Sequence, residues 1–187
     1  MPLNIKVVID LEFVDSPENI GKYNKVDNLQ FIVPYDVYFE QSDGMLFGYY
    51  SYKSIDYQKL PLTYSDYSHF RSTLMSYCGY SDLEHIERLD KHNHRENTID
   101  NLMSEDISGK ETLKFAELIN FSDYKGVFGN MTSTKLYSDF NSNRSEFISY
   151  VVNLFDVGYD DLMIESYDHI MGCFEIASKN NGIVLYN

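Results

Sequence analysis

The spacing of the apolar residues changes near Pro61, and this change constrains the fold more than any other feature of the chain. Upstream, Ile5, Val7, Ile9 and Leu11 alternate with their neighbours, as in a β-strand with one buried face. A second apolar run at 29–33 ends at Pro34. Residues 37–40 and 45–52 flank Ser42-Asp43-Gly44, a sequence that favours a hairpin turn.

Downstream of Pro61 the spacing becomes helical. It predicts helices over 65–77 with Ser65 as the cap, from Ser108 or Gly109 to a break at Gly126, and over 133–140, 145–155 and 159–178. Asn181-Gly182 is expected to end the last helix before a short apolar tail at 183–186. We therefore expect an α+β fold in a single domain, 1–187, with a small antiparallel sheet from 1–60 and a mainly helical body from 61–187.

The charge balance restricts the class of partner. Fifteen Lys and Arg against 29 Asp and Glu give a net charge of −14. Binding to nucleic acid requires clustered cations, and an anionic membrane surface repels an acidic protein, so neither is an expected partner. A basic protein, in particular a nucleic-acid-binding protein, is the partner that this charge favours.

The chain shows no sign of export. Residues 1–13 lack the apolar core of a signal peptide, and no apolar run is long enough to span a membrane. Cys78 and Cys173 form no metal or redox motif, and we expect both to be small core residues. These observations predict a cytoplasmic protein.

The acidic residues concentrate in the last third of the chain. Between Ser145 and Ser178 there is no Lys or Arg, and the acids there are Glu146, Asp156, Asp160, Asp161, Glu165, Asp168 and Glu175. In the helix predicted over 159–178, the acids Asp161, Glu165, Asp168 and Glu175 lie opposite the apolar face of Met163, Tyr167, Ile170, Phe174 and Ala177. Residues i and i+4 of a helix lie about 6 Å apart along its axis, close to the phosphate spacing of a nucleic-acid strand. The stripe is therefore either a phosphate mimic or a solvated face that keeps the protein soluble.

Tyrosine is concentrated at the transition from strands to helices. Eight tyrosines lie between Tyr49 and Tyr80 among several serines, a combination typical of protein-binding surfaces. The candidate binding residues are Tyr49, Tyr50, Tyr52, Tyr64 and Tyr67. The alternative is that half of these rings pack the junction between sheet and helices.

One segment resembles a known group of sequences. Residues 117–129 read ELINFSDYKGVFG, with 65–71 upstream and the run at 174–177 downstream completing the pattern. Over about 62–187 the chain resembles a family of uncharacterised phage and bacterial proteins. The resemblance implies a phage or mobile-element context and no particular activity.

The same segment has two physical interpretations. Gly126 and Gly129 suit a tight turn after a helix, with polar side chains bonding the free backbone groups. Alternatively, Glu117, Asn120 and Asp123 beside Gly126 form a small polar pocket for a ligand or for acid–base chemistry.

Three histidines form a candidate metal site. His85, His92 and His94 resemble zinc ligands, but Arg88, Lys91 and Arg95 surround them and disfavour a cation. We expect no metal, no cofactor and no catalytic residue.

Together these features predict a non-enzymatic, acidic inhibitor of a host defence protein, encoded by a phage or mobile element, of the anti-CRISPR or anti-restriction type and acting by nucleic-acid mimicry. The first alternative is an immunity protein that neutralises a basic toxin nuclease. The second is a small-ligand enzyme that uses the 117–129 region.

Overall fold

A computed structural model describes residues 3–15, 29–32, 42–55, 62–79, 114–120, 126–155 and 158–186. The strands are β1 (Ile5–Asp15), β2 (Leu29–Ile32), β3 (Gly48–Ile55), β4 (Gly126–Phe128) and β5 (Ile183–Tyr186). The helices are α1 (Tyr64–Tyr77), α2 (Ala116–Asn120), α3 (Asn130–Leu154) and α4 (Tyr159–Lys179). The protein has the predicted α+β fold, with a sheet that begins near the N-terminus and a mostly helical C-terminal body.

Within the described residues, five strands form one antiparallel sheet in the order β2-β3-β1-β5-β4. The sheet therefore extends beyond residues 1–60, because β4 and β5 come from the C-terminal half. Gly126, predicted as a break, is the first residue of β4 and pairs with Tyr186. The predicted apolar tail is a central strand, and all four residues of β5 are buried.

The turn at Ser42-Asp43-Gly44 is present, with Asp43 and Gly44 at φ 54° and 73°. The strand after it begins at Gly48, later than predicted, and pairs with β1 and β2. The upstream arm of the predicted hairpin, at 37–40, lies outside the described residues.

Helix α1 begins two residues earlier than its predicted cap implies. Its cap is Thr63, not Ser65: the Thr63 hydroxyl accepts from the Asp66 backbone N–H at 3.1 Å, and the Asp66 carboxylate accepts from the Thr63 N–H at 3.0 Å. This reciprocal pair satisfies two backbone donors that a helix start leaves free.

Helix α3 is one continuous helix where two were predicted. Asn143, in the predicted gap, is buried inside it. Its side-chain amide donates to the Asp139 carbonyl at 2.7 Å, and its Oδ1 accepts from Lys114 Nζ at 2.8 Å. Because tertiary partners satisfy this polar side chain, the helix continues through it.

Helix α4 matches its prediction within one residue at its C-terminal end. Asn181 adopts a left-handed conformation, φ 48°, and the Gly182 N–H donates to the Ala177 carbonyl at 2.8 Å, which closes the helix. A Cβ at Gly182 would stand 2.6 Å from the Val8 carbonyl oxygen, so only glycine lets the chain pass this close to β1.

The main core lies between one face of the sheet and the helices. Aromatic rings dominate it: Phe147 stacks on Tyr167 at 4.5 Å between centroids, and the Tyr167 hydroxyl donates to the Phe140 carbonyl at 2.6 Å. A smaller cluster covers the opposite face and contains Val8, Tyr50, Val127, Ile183 and Leu185. The sheet is thus apolar on both faces, which explains why β5 lacks an alternating pattern.

Candidate functional site

The outer face of α4 carries the predicted acidic stripe. The apolar face opposite it is confirmed, because Met163, Tyr167, Ile170, Phe174 and Ala177 are all fully buried. Of the four stripe acids, Asp161 and Glu165 are exposed, whereas Asp168 and Glu175 are half-buried. Because the opposite face is buried in the core, the backbone positions that carry these carboxylates are fixed.

Two of the four stripe carboxylates are compensated by cations. Arg144 on α3 donates through Nε and Nη2 to the two oxygens of Asp168, at 2.8 and 2.7 Å, and this bonding raises the pKa of the guanidinium. Glu175 accepts from Lys179 Nζ at 2.5 Å and from the Tyr137 hydroxyl at 3.1 Å, and both bonds lower its pKa. Arg144 and Lys179 each lie one position outside the cation-free window 145–178. The negative potential around Asp168 and Glu175 is therefore weaker than the absence of cations from residues 145–178 indicates.

The uncompensated part of the stripe lies on the first two turns of α4. Among the described residues, Asp161 and Glu165 have no cationic partner. Asp160 serves the helix start, because its Oδ1 accepts from the backbone N–H of Gly158 at 2.8 Å and of Asp161 at 2.9 Å. Asp156 lies outside the described residues.

Glu146, the remaining acid of the window, is exposed on α3. It accepts a hydrogen bond from the Tyr77 hydroxyl at 3.1 Å, and together with burial this bond raises the pKa of Tyr77. It borders an open groove along α3 whose lining is Ser145, Glu146, Ser149, Tyr150, Asn153 and Leu154.

The predicted tyrosine surface needs correction, because most of its side chains are in the interior. Tyr67 is fully buried, and Tyr49 and Tyr50 are each 7 % exposed. The Tyr50 hydroxyl donates to the Leu46 carbonyl at 2.8 Å. These three rings pack the sheet and its junction with the helices, so they do not form the exposed tyrosine surface that was predicted. Tyr52 and Tyr64 are half-buried.

Glu117, at the start of the 117–129 motif, ties α2 to α3. Glu117 accepts from Lys135 Nζ at 2.6 Å, and the same ammonium lies 3.0 Å from Asp139. Asp139 also accepts the backbone N–H of Phe115 at 2.9 Å. Glu117 is thus one member of an ion-pair network between helices, which favours the structural interpretation of the motif. Asn120 ends α2, and Asp123 lies outside the described residues.

Asp43 is the residue that sequence reasoning missed. Its carboxylate accepts from the backbone N–H of Met131 at 2.6 Å and of Thr132 at 3.2 Å, and from the Thr132 hydroxyl at 2.8 Å. It therefore caps α3, whose own N-cap residue, Gly129, has no side chain to do so. A Cβ at Gly129 would collide with the Asp43 carboxylate. A glycine at the N-cap position indicates that a residue elsewhere in the chain caps the helix, but the local sequence does not show which residue that is.

The thiols behave as core groups. Cys173 is buried and Cys78 half-buried, both are free, and burial raises the pKa of each to about 12. Neither thiol is therefore activated as a nucleophile.

Within the described ranges, no group of three or more His, Cys, Asp or Glu is placed to hold a metal ion. His85, His92 and His94 lie outside these ranges. No helix among the described residues has the length and apolar character needed to cross a bilayer.

Comparison with known proteins adds no relative to this picture. No protein-family model, no curated protein and no solved structure matches the chain. The functional argument therefore rests on the surface chemistry of the fold itself.

Proposed function

We propose that this protein is a non-enzymatic inhibitor, encoded by a phage or another mobile element, that binds a basic nucleic-acid-binding protein of host defence in the cytoplasm. A component of a CRISPR or restriction system is the type of target that we expect. The observation that carries the proposal is the pair of exposed carboxylates, Asp161 and Glu165, which have no cationic partner in the described part of the chain and lie on a helix whose opposite face is buried in the core.

Charge supports this proposal in two ways. A net charge of −14 attracts a basic partner over several ångströms and speeds the encounter. Asp161 and Glu165 are one helical turn apart, about 6 Å along the axis, so they can occupy two neighbouring phosphate positions on the partner. Because the core holds the α4 backbone, binding has to order only the side chains of these two residues.

The compensated carboxylates restrict where mimicry operates. Asp168 and Glu175 already bind Arg144 and Lys179, so a partner cation gains less from them than from a free carboxylate. The mimic surface that we propose is therefore the N-terminal half of α4, not its whole length.

The test is a tagged pull-down from host lysate at low salt, eluted with a salt step and identified by mass spectrometry. Two variants form a matched pair: Glu165→Lys on α4 and Glu12→Lys on β1 both reverse one exposed acid and change the net charge equally. We expect the wild type and Glu12→Lys to retain a basic nucleic-acid-binding protein and Glu165→Lys to lose it.

Equal retention by both variants, or an eluate without a basic protein, would contradict the proposal. Recovery of a toxin nuclease instead of a defence component would select the immunity-protein alternative, which needs the same surface.

A further inference from the structure

The helices α3 and α4 are joined side by side by two cross-helix contacts. Tyr137 bonds Glu175 at 3.1 Å, and Arg144 bonds Asp168 at 2.7 Å. On each helix the two contacting residues are seven positions apart, which is about two turns. The helices are therefore antiparallel, and one turn along α3 corresponds to one turn back along α4. One turn further on, this register places Ile148 beside Ile164, and a second turn places Val152 beside Asp160 and Asp161.

We call the line along which α3 and α4 pack the seam. Its side chains change from polar to apolar along its length. In the half that contains Arg144 and Glu175, it is closed by ion pairs and hydrogen bonds. In the half nearest the α3–α4 turn it is apolar: Ile148 and Ile164 are half-buried and Val152 is 52 % exposed. Asp161 and Glu165 lie along the α4 side of this apolar half.

An apolar centre with a charged edge is the arrangement of a protein-binding surface, where apolar anchors supply affinity and edge charges supply orientation. A third helix can lay its apolar face along the shared outer surface of two packed helices.

We propose that the seam formed by Ile148, Val152 and Ile164, edged by Asp161 and Glu165, binds a basic amphipathic helix of the partner protein. The aliphatic side chains of that helix contact Val152, and its Lys or Arg side chains pair with Asp161 and Glu165. Charge complementarity selects this occupant, since the edge is acidic and, among the described residues, these two acids have no cation of their own. The inference rests on the proposed function and names the partner surface that it requires.

Helix docking differs from phosphate mimicry in the role that it gives to Val152. Mimicry needs only the two carboxylates, whereas helix docking buries the valine side chain on binding. Loss of that burial is expected to weaken binding about tenfold.

The probe is a synthetic helical peptide with lysines along one face and leucines along the other. A second peptide with every leucine replaced by alanine keeps the charge and the helix propensity but loses the apolar face. Dissociation constants are measured by fluorescence anisotropy on the full chain, and amide shifts in ¹⁵N spectra locate the bound peptide.

The variants are again matched. Val152→Ser is compared with Val14→Ser, whose valine is 44 % exposed at the end of β1, and Glu165→Lys with Glu12→Lys. We expect the leucine peptide to shift the amides of Val152, Ile164 and Glu165. We expect Val152→Ser and Glu165→Lys each to weaken it about tenfold, and the two β1 variants to leave it unchanged.

The two proposals fail differently. If the leucine and alanine peptides bind equally well at Glu165 and Val152→Ser has no effect, helix docking is overturned and charge mimicry stands. If neither peptide binds at Glu165, or Glu12→Lys weakens binding as much as Glu165→Lys does, both are overturned. Thermal melts confirm that these surface variants fold.

Discussion

Replacing Asp43 with alanine removes three hydrogen bonds from the first turn of α3. The carboxylate accepts two backbone N–H groups and the Thr132 hydroxyl, at 2.6 to 3.2 Å. Loss of a helix cap costs about 0.5–2 kcal/mol, and loss of a negative charge at a helix start costs about 0.3–1 kcal/mol more. We expect the free energy of unfolding to fall by about 2 kcal/mol, which for a chain of this size lowers the Tm by about 4–8 °C.

Gly129 provides an independent way to break the same contact. A Cβ at this position would overlap the Asp43 carboxylate, so Gly129→Ala is expected to displace Asp43 and to cost a similar amount. Because both changes remove one interaction, their effects should not add, and the double variant should be little worse than either single one. Asp43→Asn keeps an acceptor and tolerates the φ of 54°, so it should lose about half as much.

Urea denaturation followed by circular dichroism measures all four proteins, since α3 contributes much of the helical signal. Additive losses in the double variant would show that Asp43 and Gly129 act separately. A loss below about 0.5 kcal/mol for Asp43→Ala would show that water replaces the cap at no cost.

Three further predictions concern charge, thiols and alkaline stability. Arg144→Gln releases Asp168; it should cost about 0.5 kcal/mol in a urea titration, as an exposed pair does, and should tighten binding of the leucine peptide, whereas weaker binding would argue against the acidic surface. Cys173 should not react with a thiol reagent at pH 8 until the protein unfolds and Cys78 should react slowly, since burial raises the pKa of both to about 12; rapid labelling of native protein would contradict this. Burial also raises the pKa of Tyr167 above the roughly 10 of an unfolded tyrosine, so the unfolded chain loses this proton first and the contribution of Tyr167 to the free energy of unfolding should fall above pH about 10. Part of the tyrosinate absorbance at 295 nm should therefore appear together with the loss of helical signal, and its full appearance in a protein that is still helical would refute the assignment.

Elements with a clear apolar period were predictable from the sequence. The period of 3.6 in α4 reports a boundary between core and solvent, and the alternation of Ile5, Val7 and Ile9 in β1 reports the face that packs on the helices, although Val8 is buried on the other face. The same reasoning failed for β5, because a strand buried on both faces has no alternation to detect. It also failed at Asn143, which reads as a helix break until its tertiary hydrogen bonds are known.

The candidate site was predictable only in part. Helical spacing placed four acids on one face of α4, as observed: Asp161, Glu165, Asp168 and Glu175. Counting the charges within residues 145–178 did not reveal that Arg144 on α3 pairs with Asp168. The tyrosine cluster failed for a related reason, since composition does not reveal which rings face the core. The cap supplied by Asp43 joins positions 88 apart, a distance over which no local pattern operates.

The position of β5 determines when this sheet can be completed during synthesis. Val7 of β1 pairs with Val184 of β5, so β1 leaves the ribosome long before β5 has been synthesised. Until residues 183–186 emerge, the nascent chain can join β1 to β3 but must keep the other edge of β1 unpaired, and unpaired edges recruit strands from other chains. The sheet therefore cannot be completed before residues 183–186 are synthesised, and a chain stalled or shortened before them would leave edges of β1 and β4 unpaired and open to strands from other chains.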